Sequence, residues 1–115
     1  MTGFTDDVIL LSHGDGGELT RRLVEDLFLQ YFTSDHLKDL PDAAVLPPAG
    51  GRPALTNGSF VVDPLFFPGG DIGRLAVCRT VNDLTVCGAR PQYLVASFLI
   101  EEGLEVAVLE KCWSP

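Results

Sequence analysis

Cysteine is scarce in this sequence of 115 residues, and none of the cysteines has the spacing of a known motif. The three are Cys78, Cys87 and Cys112, and no two of them form the C-x-x-C spacing typical of zinc and redox sites. If Cys78 and Cys87 share a helix, their separation along its axis is about 13 Å, too far for a disulfide. We therefore expect free thiols and a reducing, cytoplasmic location.

Positive charge and long apolar runs are also lacking. Eight Lys and Arg face sixteen Asp and Glu, a net charge of -8, so a nucleic-acid backbone would be repelled. No run of 18 apolar residues and no secretory leader pattern is present, which predicts neither a membrane partner nor export. An acidic chain can still bind ATP, because magnesium neutralises much of the triphosphate charge.

The hydrophobic patterns predict one domain over residues 1–115. Residues 8–11 form a short apolar run that indicates a strand, and the glycine-rich residues 12–17 indicate a turn. Apolar residues then recur every four positions over residues 18–32, which predicts a helix. Asp15 and Glu18 have the spacing of a capping pair for that helix.

The second half of the sequence predicts further strands and helices. Residues 34–53 are rich in Pro and Gly and predict an irregular loop within the domain. Asn57-Gly58 is a hairpin signal beside two strand-like runs, residues 60–62 and 65–67. A helix over residues 71–87, capped by Asp71 and stopped by Gly88, is apolar on nearly all sides, which predicts packing on two sides. Residues 93–100 indicate a strand, and a last helix begins near residue 104.

Two sets of polar residues are candidates for chemistry. The turn at His13, Gly14, Gly16 and Gly17 precedes a helix, where backbone N–H groups and the helix dipole can receive a phosphate. The alternative is a connection between strand and helix that binds no ligand. The negative charge of Asp15 would also oppose the binding of a phosphate.

Asn82-Asp83 is the second set, inside the apolar helix. Buried amides and carboxylates require hydrogen bonds, an ion pair or a metal. The alternative without a functional role is an i,i+4 ion pair between Asp83 and Arg79. Asp63 and Asp71 are nearby carboxylates, although Asp71 also fits the role of a simple helix cap.

Three stretches carry a family resemblance: residues 60–83, His13-Gly-Asp-Gly-Gly17 and Leu99-Ile-Glu-Glu-Gly103. Together they resemble the amino-terminal part of HypE, the ATP-dependent carbamoyl dehydratase of [NiFe]-hydrogenase maturation, a family related to the aminoimidazole ribonucleotide (AIR) synthetases. The resemblance is moderate over residues 8–32 and strong over residues 54–105, and it covers roughly a third of a family member.

The resemblance implies an α+β fold with helices packed on one face of a mixed or antiparallel sheet that dimerisation completes. It also implies ATP and magnesium as ligands, a homodimer, and hydrogenase maturation proteins as partners. The implied nucleotide-binding residues are His13, Gly14, Gly16, Gly17 and Asn82, and the implied metal ligands are Asp83 and, as a substitute, Asp71.

The chain departs from the family at two positions of that site. Gly58 stands where the family has an Asp directed toward magnesium and ATP, and Arg79 stands where the family has Gly. Two functions therefore stay open. In the first, the chain is a HypE-like nucleotide-binding and dimerisation half that does not catalyse alone. In the second, it is a non-catalytic dimeric binding or assembly module derived from a rearranged or truncated gene. In the full-length family, ATP activates a thiocarbamate oxygen so that dehydration yields a thiocyanate.

Overall fold

The structure is a computed structural model that describes residues 3–114. The backbone separates into two compact units. The first falls within Met1–Pro48 and Ile100–Leu109, and the second within Ala49–Leu99 and Glu110–Pro115. Each unit is described separately below.

The predicted first helix is present in the first unit, with a change of pitch at its centre. It consists of α1 (Glu18–Arg22), a π-helical segment (Leu23–Phe28) and α2 (Leu29–Tyr31). Leu23 and Leu27 lie four residues apart and are both buried, as predicted from apolar residues that recur every four positions. The π-helical segment has no signal in the sequence pattern.

The strand predicted at residues 8–11 is wrong in extent. Residues 11–14 form a 3₁₀ turn, Leu11–Gly14, and only the residues just before it pair with another segment. The Ile9 N–H donates to the Leu104 carbonyl at 2.8 Å, and the Gly103 N–H donates to the Ile9 carbonyl at 2.7 Å. This short antiparallel contact leads into the core of the unit, whose buried apolar residues are Ile9, Leu23, Leu27, Val106 and Leu109.

The second unit has a hairpin at a different place from the predicted one. Strands β1 (Phe66–Phe67) and β2 (Gly70–Asp71) pair antiparallel, with Phe66 opposite Asp71. The turn between them is Pro68-Gly69, where Gly69 takes a φ of 95° that favours glycine. The hairpin predicted at Asn57-Gly58 is therefore a wrong prediction, because no strand flanks that turn in the described chain.

Helix α3 (Ile72–Val86) confirms the prediction for residues 71–87. The Asp71 carboxylate accepts the Arg74 N–H at 2.9 Å, so Asp71 is the N-cap. At the other end Gly88 has a φ of 78°, and its N–H donates to the Thr85 carbonyl. The predicted packing on two sides is wrong for this chain, because no residue of α3 is buried.

The last helix, α4 (Val106–Trp113), begins two residues after the predicted start. Near its end, the Cys112 carbonyl lies against the position that a side chain at Gly73 would occupy. Within the second unit this glycine lets the first turn of α3 approach the α4 backbone closely.

Residues 93–100 do not form the predicted strand. Val95 and Leu99 are 90% and 105% exposed, and Leu55 and Val61 are exposed to a similar degree. A strand needs another strand to pair with, and no strand in the described part of the chain pairs with these residues. None of the helices in residues 3–114 is long and apolar enough to cross a membrane.

The α+β class is confirmed by helices together with an antiparallel sheet, although that sheet has only two strands in residues 3–114. The irregular character of residues 34–53 is also visible, since a single 3₁₀ turn, Asp35–Leu37, is their only regular element in the described chain.

Candidate functional site

His13 is buried in the first unit, and both of its ring nitrogens are engaged. Nδ1 accepts the Leu10 N–H at 2.8 Å, which leaves the proton of a neutral ring on Nε2. Nε2 lies 3.0 Å from the Asp6 carboxylate and donates to it. The ring is 2% exposed, and it also packs against Phe4. His13 therefore holds the start of the glycine-rich turn to the segment before it.

The glycine-rich turn itself is exposed, and its best-placed donors are used within the chain. The Gly16 N–H donates to the Thr20 hydroxyl at 2.9 Å, and the Gly17 N–H donates to the Asp15 carboxylate at 2.9 Å. Asp15 is thus not the predicted N-cap, because α1 has Gly17 at that position and no side-chain cap. Its carboxylate binds a glycine N–H that the sequence suggested for a phosphate.

A second segment supports this turn from the side. The Leu11 N–H donates to the Glu102 carboxylate at 3.2 Å. Glu102 belongs to the stretch Leu99-Ile-Glu-Glu-Gly103, and it contacts the first residue of the 3₁₀ turn Leu11–Gly14 that leads into the glycine-rich residues.

Asn82 and Asp83 lie in the second unit, on the exposed surface of α3. We expected both side chains to be buried and therefore to need a partner. They are exposed to water, so they need none. The ion pair between Arg79 and Asp83 is also absent from residues 3–114, where His13–Asp6 and Arg21–Glu25 are examples of ion pairs that do form. Both side chains of the Asn-Asp pair are therefore accessible to a ligand.

The two predicted metal ligands do not form one site. Asp71 caps the start of α3 and Asp83 lies twelve positions further along the chain, which is about 18 Å along the helix axis. No group of three His, Cys, Asp or Glu side chains in residues 3–114 is arranged to hold a metal ion. A magnesium ion held by Asp71 and Asp83 together does not fit this chain.

Arg79 contacts an aromatic ring instead of a carboxylate. Its guanidinium carbon lies 5.5 Å from the centroid of the Phe60 ring. The tip of the same ring lies against Gly58, where an added Cβ would stand 3.0 Å from a ring carbon. The two residues that depart from the family pattern thus contact one side chain.

Two of these partners were missed from the sequence. Asp6 belongs to no recognisable motif. It lies seven residues before His13 in the sequence, and only the fold brings the two side chains together. Phe60 was assigned to a strand, although an aromatic residue two positions after Gly58 is itself a signal, because glycine leaves room for a ring beside the backbone. The link from Phe60 to Arg79 depends on the tertiary structure and has no local signal.

Comparison with known proteins accounts for most of the chain. The family described as AIR synthase related protein, N-terminal domain, matches residues 40–114. The carbamoyl dehydratase HypE of Rhodobacter capsulatus is 50% identical over 109 residues, which cover 92% of this chain and 32% of that protein. HypE of Escherichia coli K12 is 45% identical over 107 residues, with coverages of 89% and 32%.

A solved structure agrees with these sequence matches. The crystal structure of the hydrogenase maturation protein HypE in complex with ATP superposes with a TM-score of 0.84 at 50% identity, covering 90% of this chain and 30% of that one. The chain thus spans about a third of the length of the relatives it matches. From its family match and its fold, the chain belongs to the AIR synthase related family, as an N-terminal domain of the kind found in HypE.

Proposed function

We propose that this chain is a nucleotide-binding and dimer-forming domain of the HypE type, acting in the cytoplasm in [NiFe]-hydrogenase maturation. The observation that carries the proposal is the match, at 50% identity over 90% of the chain, to a HypE structure that holds ATP. ATP is accordingly the proposed ligand, and other hydrogenase maturation proteins are the proposed partners.

Two sets of residues are proposed to contact the nucleotide, one within each unit, and each set is considered by itself. Gly14, Gly16 and Gly17 supply an exposed turn, and Asn82 supplies an exposed amide that can donate and accept hydrogen bonds. His13 shapes the turn through Asp6 and Leu10 and does not itself contact the nucleotide, because both its ring nitrogens are already bonded. Binding at the turn requires the Asp15 carboxylate to release the Gly17 N–H.

We further propose that the chain does not catalyse the dehydration alone. It spans about a third of the length of the carbamoyl dehydratases that it matches. The predicted magnesium ligands are about 18 Å apart along α3, so they cannot share one ion in this chain. Catalysis would need the groups that the rest of a full-length carbamoyl dehydratase supplies.

The alternative is a non-catalytic dimeric module for binding or assembly. Its supporting observation is the internal pairing of the turn, where Thr20 and Asp15 accept the N–H groups of Gly16 and Gly17. A turn whose donors are satisfied in this way is stable without a ligand.

Isothermal titration of the purified chain with ATP and magnesium separates the two proposals. The nucleotide-binding proposal predicts a saturable exchange of heat. Loss of the amide in Asn82→Ala weakens binding about tenfold, as expected for one hydrogen bond to a charged group.

Gln92→Ala is the matched control, since Gln92 is an exposed amide in the same unit outside α3. Its affinity should equal that of the parent chain. No heat at ATP concentrations on the order of 1 mM, where binding is worth about 4 kcal/mol, would favour the assembly module.

A further inference from the structure

Three residues of the second unit form one cluster, the Phe60 stack: Gly58, Phe60 and Arg79. The Arg79 guanidinium carbon lies 5.5 Å from the ring centroid of Phe60. Two ring carbons at the tip lie 3.0 and 3.3 Å from the position of a Cβ at Gly58. The half-buried ring is therefore held between the backbone at residue 58 and the cation from α3.

Arg79 is an exposed cation that makes no ion pair within residues 3–114. This is unexpected in a chain with a net charge of -8 and with Asp83 one helical turn away. The Phe60 ring holds the Arg79 guanidinium in a position where the guanidinium pairs with no carboxylate of the described chain. Its charge is available to an anion from outside the chain.

The chemistry of a stacked guanidinium narrows the class of anion. When a guanidinium packs against an aromatic ring, its N–H groups still point outward in one plane, and they match two oxygens of a phosphate. The ring also restricts the side chain before binding, so less rotamer entropy is lost when the anion binds. A phosphate therefore suits Arg79 better than a single carbonyl or hydroxyl.

We propose that Arg79, held by Phe60, donates to a phosphate of the bound nucleotide and neutralises its charge, so that this chain binds a nucleotide polyphosphate without a divalent cation. The inference rests on the proposed nucleotide binding and gives that site its means of charge neutralisation. It agrees with the positions of Asp71 and Asp83, which cannot hold one metal ion together. Asn82, three residues after Arg79, lies on the adjacent surface of α3.

Gly58 acts in this cluster as a positioning residue. A methyl group at residue 58 would stand 3.0 Å from the ring of Phe60, which is tighter than most Cβ contacts, so the ring must shift slightly and the support of Arg79 changes. Gly51 offers the matched control, because nothing lies within 4 Å of a Cβ added there.

The test measures the binding of ATP and of inorganic tripolyphosphate to the purified full chain, once with magnesium and once with EDTA. We expect the parent chain to bind both probes in EDTA. Arg79→Met should weaken binding in EDTA about 10- to 100-fold, as expected for charge-assisted hydrogen bonds. Arg74→Met removes an equal charge from an exposed position of the same helix and should leave both affinities unchanged.

The positioning role has its own variants. Gly58→Ala should weaken binding in EDTA several-fold, whereas Gly51→Ala should not. Arg79→Lys should recover only part of the affinity, because an ammonium group cannot donate to two phosphate oxygens in a fixed plane. Circular dichroism of each variant confirms that the helices are retained.

The outcomes separate this inference from the proposed function. Binding of ATP only when magnesium is present would overturn the role of Arg79 and leave nucleotide binding intact. Equal affinities of Arg79→Met and the parent chain in EDTA would overturn it as well. Absence of ATP binding in both buffers would overturn nucleotide binding and this inference together. This holds even if tripolyphosphate binds, because Arg79 would then contact anions in general and not a bound nucleotide.

Discussion

At the scale of single residues, Cys112 differs from the other two cysteines in its surroundings. Its thiol is half-buried, and burial raises its pKa, an effect that the nearby Asp71 carboxylate increases and Lys111 opposes. Because the thiolate is the reactive form, we expect iodoacetamide to alkylate Cys112 at pH 8 about 3- to 10-fold more slowly than the exposed Cys78 and Cys87. Peptide mass spectrometry over time measures all three rates in one sample.

Unfolding in urea is the control for that prediction, since it should bring the three alkylation rates together. The alkylation rate of Cys112 should rise with pH over a higher pH range than the rate of an ordinary thiol, because the raised pKa of Cys112 means that its thiolate forms only at higher pH. Equal rates at the three cysteines in the folded chain would show that Cys112 is not shielded.

Local residue roles could be predicted where they depend on near neighbours along the chain. Asp71 caps α3 and Gly88 ends it, as their spacing from the apolar run indicated. Asp15 had an equally suitable spacing, yet it accepts the Gly17 N–H, because α1 begins two residues later than that cap requires. The pairing of His13 with Asp6 and of Arg79 with Phe60 could not be predicted, since both depend on how the chain folds back.

At the scale of elements, α3 and the end of α4 pack closely at Gly73. Alanine inside a helix normally stabilises it by about 1 kcal/mol relative to glycine. In Gly73→Ala the new methyl group would collide with the Cys112 carbonyl, so we expect a net loss of about 1 to 3 kcal/mol. Urea unfolding measures the change, with Gly51→Ala as the neutral control. A more stable Gly73→Ala chain would mean that α4 moves away at little cost.

The helices were easier to predict than the strands for a physical reason. A helix forms its hydrogen bonds within itself, so the patterns of residues 18–32 and 71–87 were sufficient to locate it. A strand depends on a second strand beside it, and residues 60–62 and 93–100 have strand composition but pair with no strand in the described chain. The hairpin forms instead at Phe66–Phe67 and Gly70–Asp71, where the sequence itself provides both strands and the turn.

At the scale of the whole molecule, the apolar surface is distributed unevenly. The buried apolar residues of the described chain all belong to the first unit: Ile9, Leu23, Leu27, Val106 and Leu109. The second unit instead exposes large apolar side chains in segments that have no strand partner, namely Leu55, Val61, Val95 and Leu99. Exposed apolar segments of strand composition that pair with no strand of their own chain tend to pair with a second chain.

We therefore expect the purified chain to be a homodimer in which a second copy covers these segments. Light scattering during size exclusion should give twice the chain mass. The double variant Val61→Lys/Val95→Lys should shift the protein toward the monomer, because two buried charges oppose the interface. Val45→Lys is the matched control, since Val45 is 86% exposed in the irregular loop of the first unit. A well-folded monomer at every concentration tested would exclude the dimer, and loss of the dimer in Val45→Lys as well would place the interface elsewhere.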